Sequence, residues 1–537
     1  MTDTTVTDTA ATSATVTSAT AAADATGTDT TAMGATATDT TATGGATPPA
    51  PIRTDAVIIG AGMSGLCQAV EFSRSRPKLT FVVLEKADGL GGTWRDNTYP
   101  GASCDVESHL YSYSFERNPG WSSTYAKQPE ILAYLRRMAA RRGLLPHIRF
   151  GTDVTGARWE PAASRWTVTT ADGTTYVSRF LILGVGGLHT PRTPVLPGAD
   201  EFGGEVWHSS SWNHDVDLTG KHVTVVGVGA SGIQIIPELA KRAAGLTVFQ
   251  RTPAWVLPKL DTPHPTWRKR LFRALPWAQA VHRLRVYVAR EKRGIGFHHR
   301  PDALRVAEDV VHAQITKHIE DPALRETLTP SYRFGCKRVL LSNDYYPALN
   351  APHVQVVPGG PAALRPQAVV DETGTDHKTD VLIHATGFDL AGSFNRIRVE
   401  GTDGRLLEET WHRTGMTAYN GVTVSGFPNM FLLLGPNGFV PYTGVVQNIE
   451  TQARHVVTAI RAVRSSRARS LEVRPSAERA FRTAIRKRYD RTVWATGGCT
   501  SWYESNSAAG TVLWPDSTWA YRWRLRRVRR GDYVFRR

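Results

Sequence analysis

Short apolar runs alternate with longer amphipathic stretches from residue 54 onward. Runs of this length that end at a glycine or a charged residue are typical of strands buried in a parallel sheet, and the stretches between them carry apolar residues at helical spacing. This alternation predicts an α/β fold. The predicted strands are 54–59, 79–84, 166–168, 179–183, 221–226, 246–249 and 430–434. A helix is predicted over 128–142, and a hairpin turn over 171–173.

A glycine-rich loop follows the first predicted strand. Gly60, Gly62 and Gly65 have the spacing at which the first glycine allows a tight turn, the second lets the backbone approach a pyrophosphate, and the third lets the next helix pack on the strand. The N-terminus of that helix offers free N–H groups to the anion. Glu85 ends the next strand about twenty residues later, where a carboxylate binds ribose hydroxyls.

A second loop of the same kind follows the strand 221–226. Its glycines are Gly227, Gly229 and Gly232, and the next strand ends in Arg251 instead of an acid. An acidic side chain at this position would repel a 2′-phosphate, whereas an arginine can bind it with two hydrogen bonds. The arginine therefore favours NADP over NAD. The alternative interpretation is a surface arginine that merely ends a strand.

Two such loops in one chain predict two Rossmann-like dinucleotide-binding domains. We expect the first domain at 51–198 with a second part at 381–537, and the other domain at 199–380. Residues 262–330 are predicted to form a helical insertion in the second domain. Its basic amphipathic pattern fits either a helix lying on a membrane or an ordinary packed helix with a solvated face, and the packed helix is favoured.

Composition narrows the functional classes. Residues 1–50 are almost entirely Thr, Ala, Ser, Gly and Asp, so this tail is expected to be disordered and lacks the pattern of a secretory signal. The net charge of +16 is interpreted as favouring solubility and attracting anionic cofactors, because no nucleic-acid motif accompanies it.

No apolar run reaches about 18 residues, so no stable membrane insertion is expected.

The four cysteines, Cys67, Cys104, Cys336 and Cys499, are not paired at C-x-x-C spacing. This spacing argues against a metal site and against a disulfide framework. It favours a reducing compartment, so a cytoplasmic location is predicted.

Between the two glycine loops lies a segment with aromatic and histidine residues at fixed spacing. Phe202, Gly204, His208 and Trp212 give the pattern F-x-G-x-x-x-H-x-x-x-W. This pattern resembles the fingerprint of the flavin-dependent Baeyer–Villiger monooxygenases, which belong to the class B flavoprotein monooxygenases. Asn213 departs from it, since the strict fingerprint has Pro or Asp there. The alternative is an interdomain linker whose aromatic residues simply pack.

Two further segments carry the same resemblance. Gly92, Thr93, Trp94 and Asp105 stand in a run that resembles a second signature of the family. The alternative for Trp94 is core packing. Asp105 requires more explanation, because a carboxylate beside a flavin needs a cationic partner.

Lys337 and Arg338 resemble a third family segment, which the tyrosines 345 and 346 complete. The resemblance implies that Arg338 reaches the reactive face of the flavin and that Asp105 orients it. Lys337 would help to hold the NADP phosphate. His208 and Trp212 would couple the position of NADP to the flavin site.

The resemblance implies FAD on the first loop and NADPH on the second. The expected reaction inserts one oxygen atom of O2 beside the carbonyl of a mid-sized apolar ketone and gives an ester or lactone, in a role consistent with secondary metabolism. The nearest competing function is that of a class B flavin monooxygenase that oxygenates nitrogen or sulfur, against which Trp212 argues. A flavin oxidoreductase without oxygen insertion and a non-catalytic scaffold also fit two nucleotide loops. The sequence predicts no oligomeric state.

Overall fold

The computed structural model describes residues 50–76, 78–501, 503 and 511–537. The predicted disordered tail therefore lies outside the described residues, apart from Ala50.

The described residues contain an eight-stranded sheet built around the first strand, Ile52–Ile59. This strand pairs in parallel with Phe81–Leu84 on one side and with Thr175–Leu183 on the other. Its last four residues, 56–59, are buried, as expected of a strand covered on both faces. In spatial order the strands are Arg398–Glu400, Val154–Glu160, Arg165–Thr170, Thr175–Leu183, Ile52–Ile59, Phe81–Leu84 and Ile148–Arg149, with Met430–Leu432 also paired to Thr175–Leu183.

The predicted hairpin at 171–173 is present. Arg165–Thr170 pairs antiparallel with Thr175–Leu183, and both strands are longer than their apolar centres indicated. Gly173 turns the chain with a positive φ of 83°, which glycine adopts without steric cost.

A second, five-stranded sheet in the described part of the chain is entirely parallel. In spatial order its strands are Val354–Pro358, Gly245–Gln250, His222–Val226, Val381–His384 and Glu205–His208. The last of these is an edge strand that carries part of the fingerprint segment. Two parallel sheets of this kind, with helices packed against them, confirm the predicted α/β fold.

Helices connect and cover the two sheets. The helices are Met63–Ser73, Thr93–Asp96, Gln128–Arg141, Gly232–Leu239, Thr266–Ala274, Pro276–His298, Arg305–His318, Pro322–Leu328, Tyr345–Leu349, Leu390–Asn395, Leu407–Thr414, Val445–Ser465, Pro475–Tyr489, Val493–Thr496 and Thr518–Leu525. Short 3-10 turns are Leu145–His147, Ser209–Ser211, Pro301–Leu304, Thr402–Gly404 and Arg530–Asp532. The remaining strands are Val256–Leu257, Leu340–Leu341, Pro361–Arg365, Ala368–Asp371, Asp376–Lys378, Ser470–Val473 and Tyr533–Arg536. In the described part of the chain no helix is both long enough and apolar enough to cross a membrane.

The chain passes between the two sheets twice, after residue 183 and after residue 384. The two crossings are hydrogen-bonded to each other. Arg192 N–H donates to the Gly387 carbonyl at 2.9 Å, and Asp389 N–H donates to the Thr190 carbonyl at 2.8 Å. The two connections therefore form one joined structure between the sheets.

The helical insertion is present, but the predicted packing of its apolar residues is wrong. Of the four residues at helical spacing, only Phe272 is buried, while Trp267, Leu271 and Leu275 are exposed. Spacing shows which residues share a helix face but cannot show which face packs against the core.

The expectation of no disulfide is also wrong. Cys336 and Cys499 are bonded across a sequence separation of 163. Spacing rules detect only cysteines close in sequence, whereas this pair is brought together by the fold, with Cα atoms 6.1 Å apart. The disulfide removes the cysteine argument for a reducing compartment, so the cytoplasmic location stays a prediction. Cys67 and Cys104 are buried thiols.

Candidate active site

The first glycine loop forms the turn that the sequence predicted. Gly60 has a φ of 97°, and a Cβ atom there would lie 2.7 Å from the Gly184 carbonyl oxygen. A Cβ atom on Gly65 would overlap the Gly60 carbonyl oxygen. The helix Met63–Ser73 begins after Gly62 with no side chain capping it. Its first N–H groups are therefore available to an anion.

Gly92 faces this loop. A Cβ atom on Gly92 would lie 3.1 Å from the Gly62 Cα atom, so the two glycines allow the segments to approach closely. The Glu85 carboxylate accepts from Ala61 N–H at 2.6 Å and from Ala87 N–H at 3.1 Å. A carboxylate has about four lone-pair sites, so two of them remain for ribose hydroxyls. An uncapped helix, a bare glycine turn and a buried carboxylate together fit FAD.

The second loop repeats the arrangement. Gly227 has a φ of 105°, and a Cβ atom there would lie 2.6 Å from the Ala385 carbonyl oxygen. A Cβ atom on Gly229 would meet nothing within 4 Å, so the backbone is open to a ligand at this point. A Cβ atom on Gly232 would overlap the Gly227 carbonyl oxygen, and the helix Gly232–Leu239 has no side-chain cap. These features fit the pyrophosphate of NADP.

Two cations lie near each other at the end of the strand Gly245–Gln250. Arg251 is exposed and follows the strand directly. Burial and the positive charge of Arg251 lower the pKa of Lys337. Two neighbouring positive charges repel each other unless an anion lies between them, so the pair fits a phosphate group.

Arg338 and Asp105 form a bidentate ion pair. Arg338 Nη2 donates to both Asp105 carboxylate oxygens, at 2.8 and 2.6 Å, and Nε donates to Oδ2 at 3.0 Å. Burial alone would raise the pKa of Asp105, but the charge of Arg338 outweighs it and the net pKa is lowered. The Asp105 charge in turn raises the pKa of Arg338. Both groups are therefore charged at neutral pH.

Arg290 is a site residue that the sequence did not reveal. It lies on the helix Pro276–His298, donates to the Asp105 backbone carbonyl at 3.0 Å and pairs with Glu107 at 2.6 Å. Its positive charge also lowers the pKa of Asp105. In the sequence, Arg290 looks like any other basic residue of the insertion. Only the fold shows that its helix packs against the segment that contains Asp105 and Glu107.

The segment before Asp105 joins the two glycine loops. Tyr99 OH donates to the Gln234 side-chain oxygen at 3.2 Å, and Gln234 Nε2 donates to the Ser103 carbonyl at 3.1 Å. A Cβ atom on Gly101 would lie 2.6 Å from the Gln234 carbonyl oxygen. Gln234 lies on the helix that follows the second loop, so movement of that helix reaches the Asp105 segment directly.

His208 connects the fingerprint segment to the second crossing. Its Nδ1 accepts from Ser210 N–H at 3.2 Å, and its Nε2 lies 3.0 Å from the Gly387 carbonyl oxygen. The Nε2 atom must therefore carry the proton, which assigns the neutral tautomer. Burial lowers the pKa of His208, in agreement with a neutral ring. The ring also makes an edge contact with Phe388 at 5.4 Å between centroids.

The other fingerprint residues shape the same segment. Trp212 is buried and packs edge-on against Trp207, 5.7 Å away between centroids. A Cβ atom on Gly204 would lie 2.6 Å from the Phe202 ring and 2.5 Å from the Asp380 carbonyl oxygen. Glycine is thus required for Phe202 to fold back over the strand.

A cleft of about 410 Å³ opens where the fingerprint meets the first sheet. Trp212 and Ser210 line one side, and Asn97, His189 and Phe388 line the others. Trp94 lies at half-buried depth and donates from Nε1 to Tyr111 OH at 3.0 Å. In the described residues, no hydrogen bond or ion pair joins Arg338 to His208 or Trp212.

Comparison with known proteins agrees with this geometry. The flavin-binding monooxygenase-like family matches residues 54–273. A Baeyer–Villiger monooxygenase of Streptomyces coelicolor is 42% identical over 477 residues, which cover 89% of this chain and 91% of the relative. The chain belongs to the Baeyer–Villiger monooxygenases.

Solved structures of these monooxygenases have the same fold. A steroid monooxygenase bound to NADP superposes with a TM-score of 0.81 at 32% identity, covering 90% of this chain and 99% of the other. A cyclohexanone monooxygenase in its closed form superposes with a TM-score of 0.81 at 30% identity, and the match covers 91% of this chain and 100% of the other. As a member of the family, the chain is an FAD-containing, NADPH-dependent enzyme that inserts one oxygen atom beside a ketone carbonyl. Oxygenation of nitrogen or sulfur is disfavoured.

Proposed function

We propose that Arg338 is the catalytic cation of this Baeyer–Villiger monooxygenase and that Asp105 holds it in place. The observation that supports the proposal is the bidentate pairing, which leaves the guanidinium little freedom to rotate. The pair is only partly buried, since the side chains of Arg338 and Asp105 are 27% and 22% exposed. Part of the guanidinium thus stays open to a ligand.

Bound FAD, once reduced by NADPH, supplies the activated oxygen. Arg338 contributes a positive charge that persists through the reaction, because the Asp105 carboxylate raises its pKa. That charge stabilises negative charge that develops on oxygen, and it is preorganised before the substrate arrives. Asp105 and the neighbouring Arg290 set the net charge of the site and the direction of the guanidinium.

We assign FAD to the first loop, with Glu85 at the ribose and Gly92, Thr93 and Trp94 along the path toward the flavin ring. NADPH occupies the second loop, with Arg251 and Lys337 at the 2′-phosphate. The corresponding domains are 51–198 with 381–537 for FAD and 199–380 for NADP. His208 and Trp212 transmit the position of NADPH through the paired crossings.

The proposed substrate is a mid-sized apolar ketone, which the enzyme converts to an ester or lactone. Two solved relatives carry the names of cyclohexanone and steroids, both apolar.

The test is the alanine variant of Arg338. Arg338→Ala is expected to bind FAD and oxidise NADPH, while ester formation falls about a hundred- to a thousandfold. Arg338→Lys is expected to recover little, because a point charge lacks the planar fork that Asp105 holds. The measurement is ester yield against hydrogen peroxide release at equal flavin content. A matched control is Arg333→Ala, which removes a partly buried arginine from its pair with Glu308. Normal ester yield from Arg338→Ala would remove Arg338 from the mechanism.

A further inference from the structure

The longest helix of the insertion turns five large apolar side chains toward solvent. On Pro276–His298 the exposed large apolar residues are Trp277, Val281, Leu284, Val288 and Ile295, and Trp277 is 65% exposed. Their spacing of four, three, four and seven residues places them on one face of an α-helix. These five residues form a stripe about 27 Å long at 1.5 Å per residue. We call it the apolar stripe.

The opposite face of this helix packs inward, and it carries polar side chains together with Val286. Gln279 is buried and donates to the Asn118 carbonyl at 2.8 Å. Arg283 donates to three backbone carbonyls of the loop 109–112, at 2.7 Å on His109 and on Ser112 and at 3.1 Å on Leu110. Arg290 is tied to the same loop by an ion pair. Because hydrogen bonds fix the polar face inward, the apolar stripe stays outward in the folded protein.

Exposed tryptophans also lie on two helices that neighbour the stripe helix. Trp267 is 62% exposed on Thr266–Ala274, the helix that precedes it. Trp519 and Trp523 are 55% and 72% exposed on the C-terminal helix Thr518–Leu525. That helix contacts the stripe helix through Tyr287, whose ring lies 6.0 Å from the Trp519 ring between centroids.

Positive charge lies close to this apolar surface. The segment 266–298 holds nine Lys or Arg residues and one acid, Glu291, and two of the nine, Arg283 and Arg290, face inward. The segment 518–531 holds six arginines and no acid. Arg285 and Lys292 are exposed and lie beside the stripe on the helix surface.

We propose that the apolar stripe and its basic border form a docking surface for an anionic lipid membrane, on which the protein lies without crossing the bilayer. An interfacial helix of this type buries an apolar face about 5–10 Å deep, at the level of the headgroups, and is strengthened by Lys and Arg residues near anionic lipids. Tryptophan is favoured at that depth because its ring is apolar and its N–H is polar. This surface is separate from the Arg338 site, so the proposal does not depend on the proposed function.

A second copy of the chain fits this surface less well. A symmetric dimer would bring the same patch of each protomer together, and with it two sets of exposed basic side chains. Those like charges would repel one another, whereas anionic headgroups neutralise them. A nucleic acid fits less well, because the centre of the stripe (Val281, Leu284, Val288) is aliphatic and would remain in contact with water beside a phosphate backbone.

The test is sedimentation of the FAD-loaded enzyme with lipid vesicles. We expect binding to vesicles of phosphatidylcholine with about one third phosphatidylglycerol, and weak binding to phosphatidylcholine alone. The double variant Trp277→Ser/Leu284→Ser should bind at least about tenfold more weakly. Arg285→Glu/Lys292→Glu should also lose binding, by about fivefold or more for each charge removed.

The matched control is Leu145→Ser/Phe150→Ser, which removes two exposed apolar residues remote in sequence from the stripe. The control should bind the vesicles like the wild type. Flavin absorbance and NADPH oxidation in lipid-free buffer should be the same in all variants, which shows that they are folded.

Three results would overturn the proposal. One is equal binding of the wild type and Trp277→Ser/Leu284→Ser to the anionic vesicles. Another is equal binding of the wild type to both kinds of vesicle. The third is a dimer, detected by sedimentation velocity, that dissociates in the Trp277→Ser/Leu284→Ser variant, because the stripe would then be covered by a second copy.

Discussion

The Sγ atoms of Cys336 and Cys499 are bonded, so the C-terminal segment is tied covalently to the residue that precedes Lys337. The two residues that follow this disulfide are Lys337, proposed for the NADP site, and Arg338, proposed for the flavin site. Removing it should loosen the C-terminal segment and the Lys337–Arg338 segment together.

The variant Cys499→Ser should accordingly be less stable. A cross-link across 163 residues restricts the unfolded chain strongly, and losing it should cost about 2–4 kcal/mol. The measurement is the denaturation midpoint with and without dithiothreitol. The wild type should lose stability in the reductant, and Cys499→Ser should not respond to it. Titration of four free thiols in the untreated wild type would contradict the prediction.

Arg251 should decide which nicotinamide cofactor is used. Arg251→Ala should weaken the binding of NADPH about ten- to a hundredfold, because one charge-assisted pair with the 2′-phosphate is lost. NADH lacks that phosphate, so its Michaelis constant should barely change. The measurement is the Michaelis constant for each cofactor. An equal loss with both would show that Arg251 does not contact the phosphate.

The Arg338–Asp105 pair should contribute stability at neutral pH and lose it only in acid. The pKa of Asp105 is lowered in the fold by Arg338, although burial opposes the shift. A group of this kind contributes stability above its unfolded pKa, about 3.9, and loses it as the pH falls through the lower folded value.

Asp105→Asn removes the charge at nearly constant size and should cost about 1–3 kcal/mol at pH 7. The difference from the wild type should stay constant between about pH 5 and pH 8 and shrink below about pH 4. Denaturation midpoints across that range measure it. A difference that instead grows in acid would mean that Asp105 is protonated in the native protein.

His109 should destabilise the protein at mildly acidic pH. Burial, together with His282 and His264, lowers the pKa of His109 to about 3. The rings of His264 and His282 lie 5.0 and 5.1 Å from the His109 ring. The folded state keeps His109 neutral while the unfolded state takes up a proton below about pH 6.5, so stability falls as the pH falls.

The expected loss from His109 is about 2 kcal/mol between pH 6.5 and 5. His109→Gln should lack this part of the pH dependence, while the contributions of His264 and His282 remain. Equilibrium denaturation of both proteins at the two pH values provides the comparison. The same slope in both would show that His109 is already charged in the fold.

The glycine loops could be predicted because their residues follow from local backbone geometry, whereas the Arg338–Asp105 pair was expected from the family resemblance. A tight turn before a helix needs Gly60 and Gly65 wherever the fold places it. A partly buried carboxylate such as Asp105 needs a cation, but only the resemblance indicated which of the 64 Lys and Arg residues it is.

Other features depend on how helices, strands and loops pack against each other. The spacing of residues along the sequence does not determine this packing. The stripe helix has an apolar and a polar face, and the usual rule predicts that the apolar face is buried. Here Gln279 and Arg283 find backbone carbonyls in the facing loop, and those bonds decide the orientation. The Cys336–Cys499 disulfide and the position of Arg290 have the same origin, because both depend on contacts between segments distant in sequence.

The paired crossings between the two sheets limit how the protein can move. A single crossing would let one sheet swivel in any direction relative to the other. Here two crossings are hydrogen-bonded to each other, and His208 is bonded to the Gly387 carbonyl. Together they form a hinge between the two sheets. Such a joint permits swinging about one axis and resists twisting about the others. A movement of the second sheet about this axis would carry His208 and Gly387 together, because the two residues are bonded.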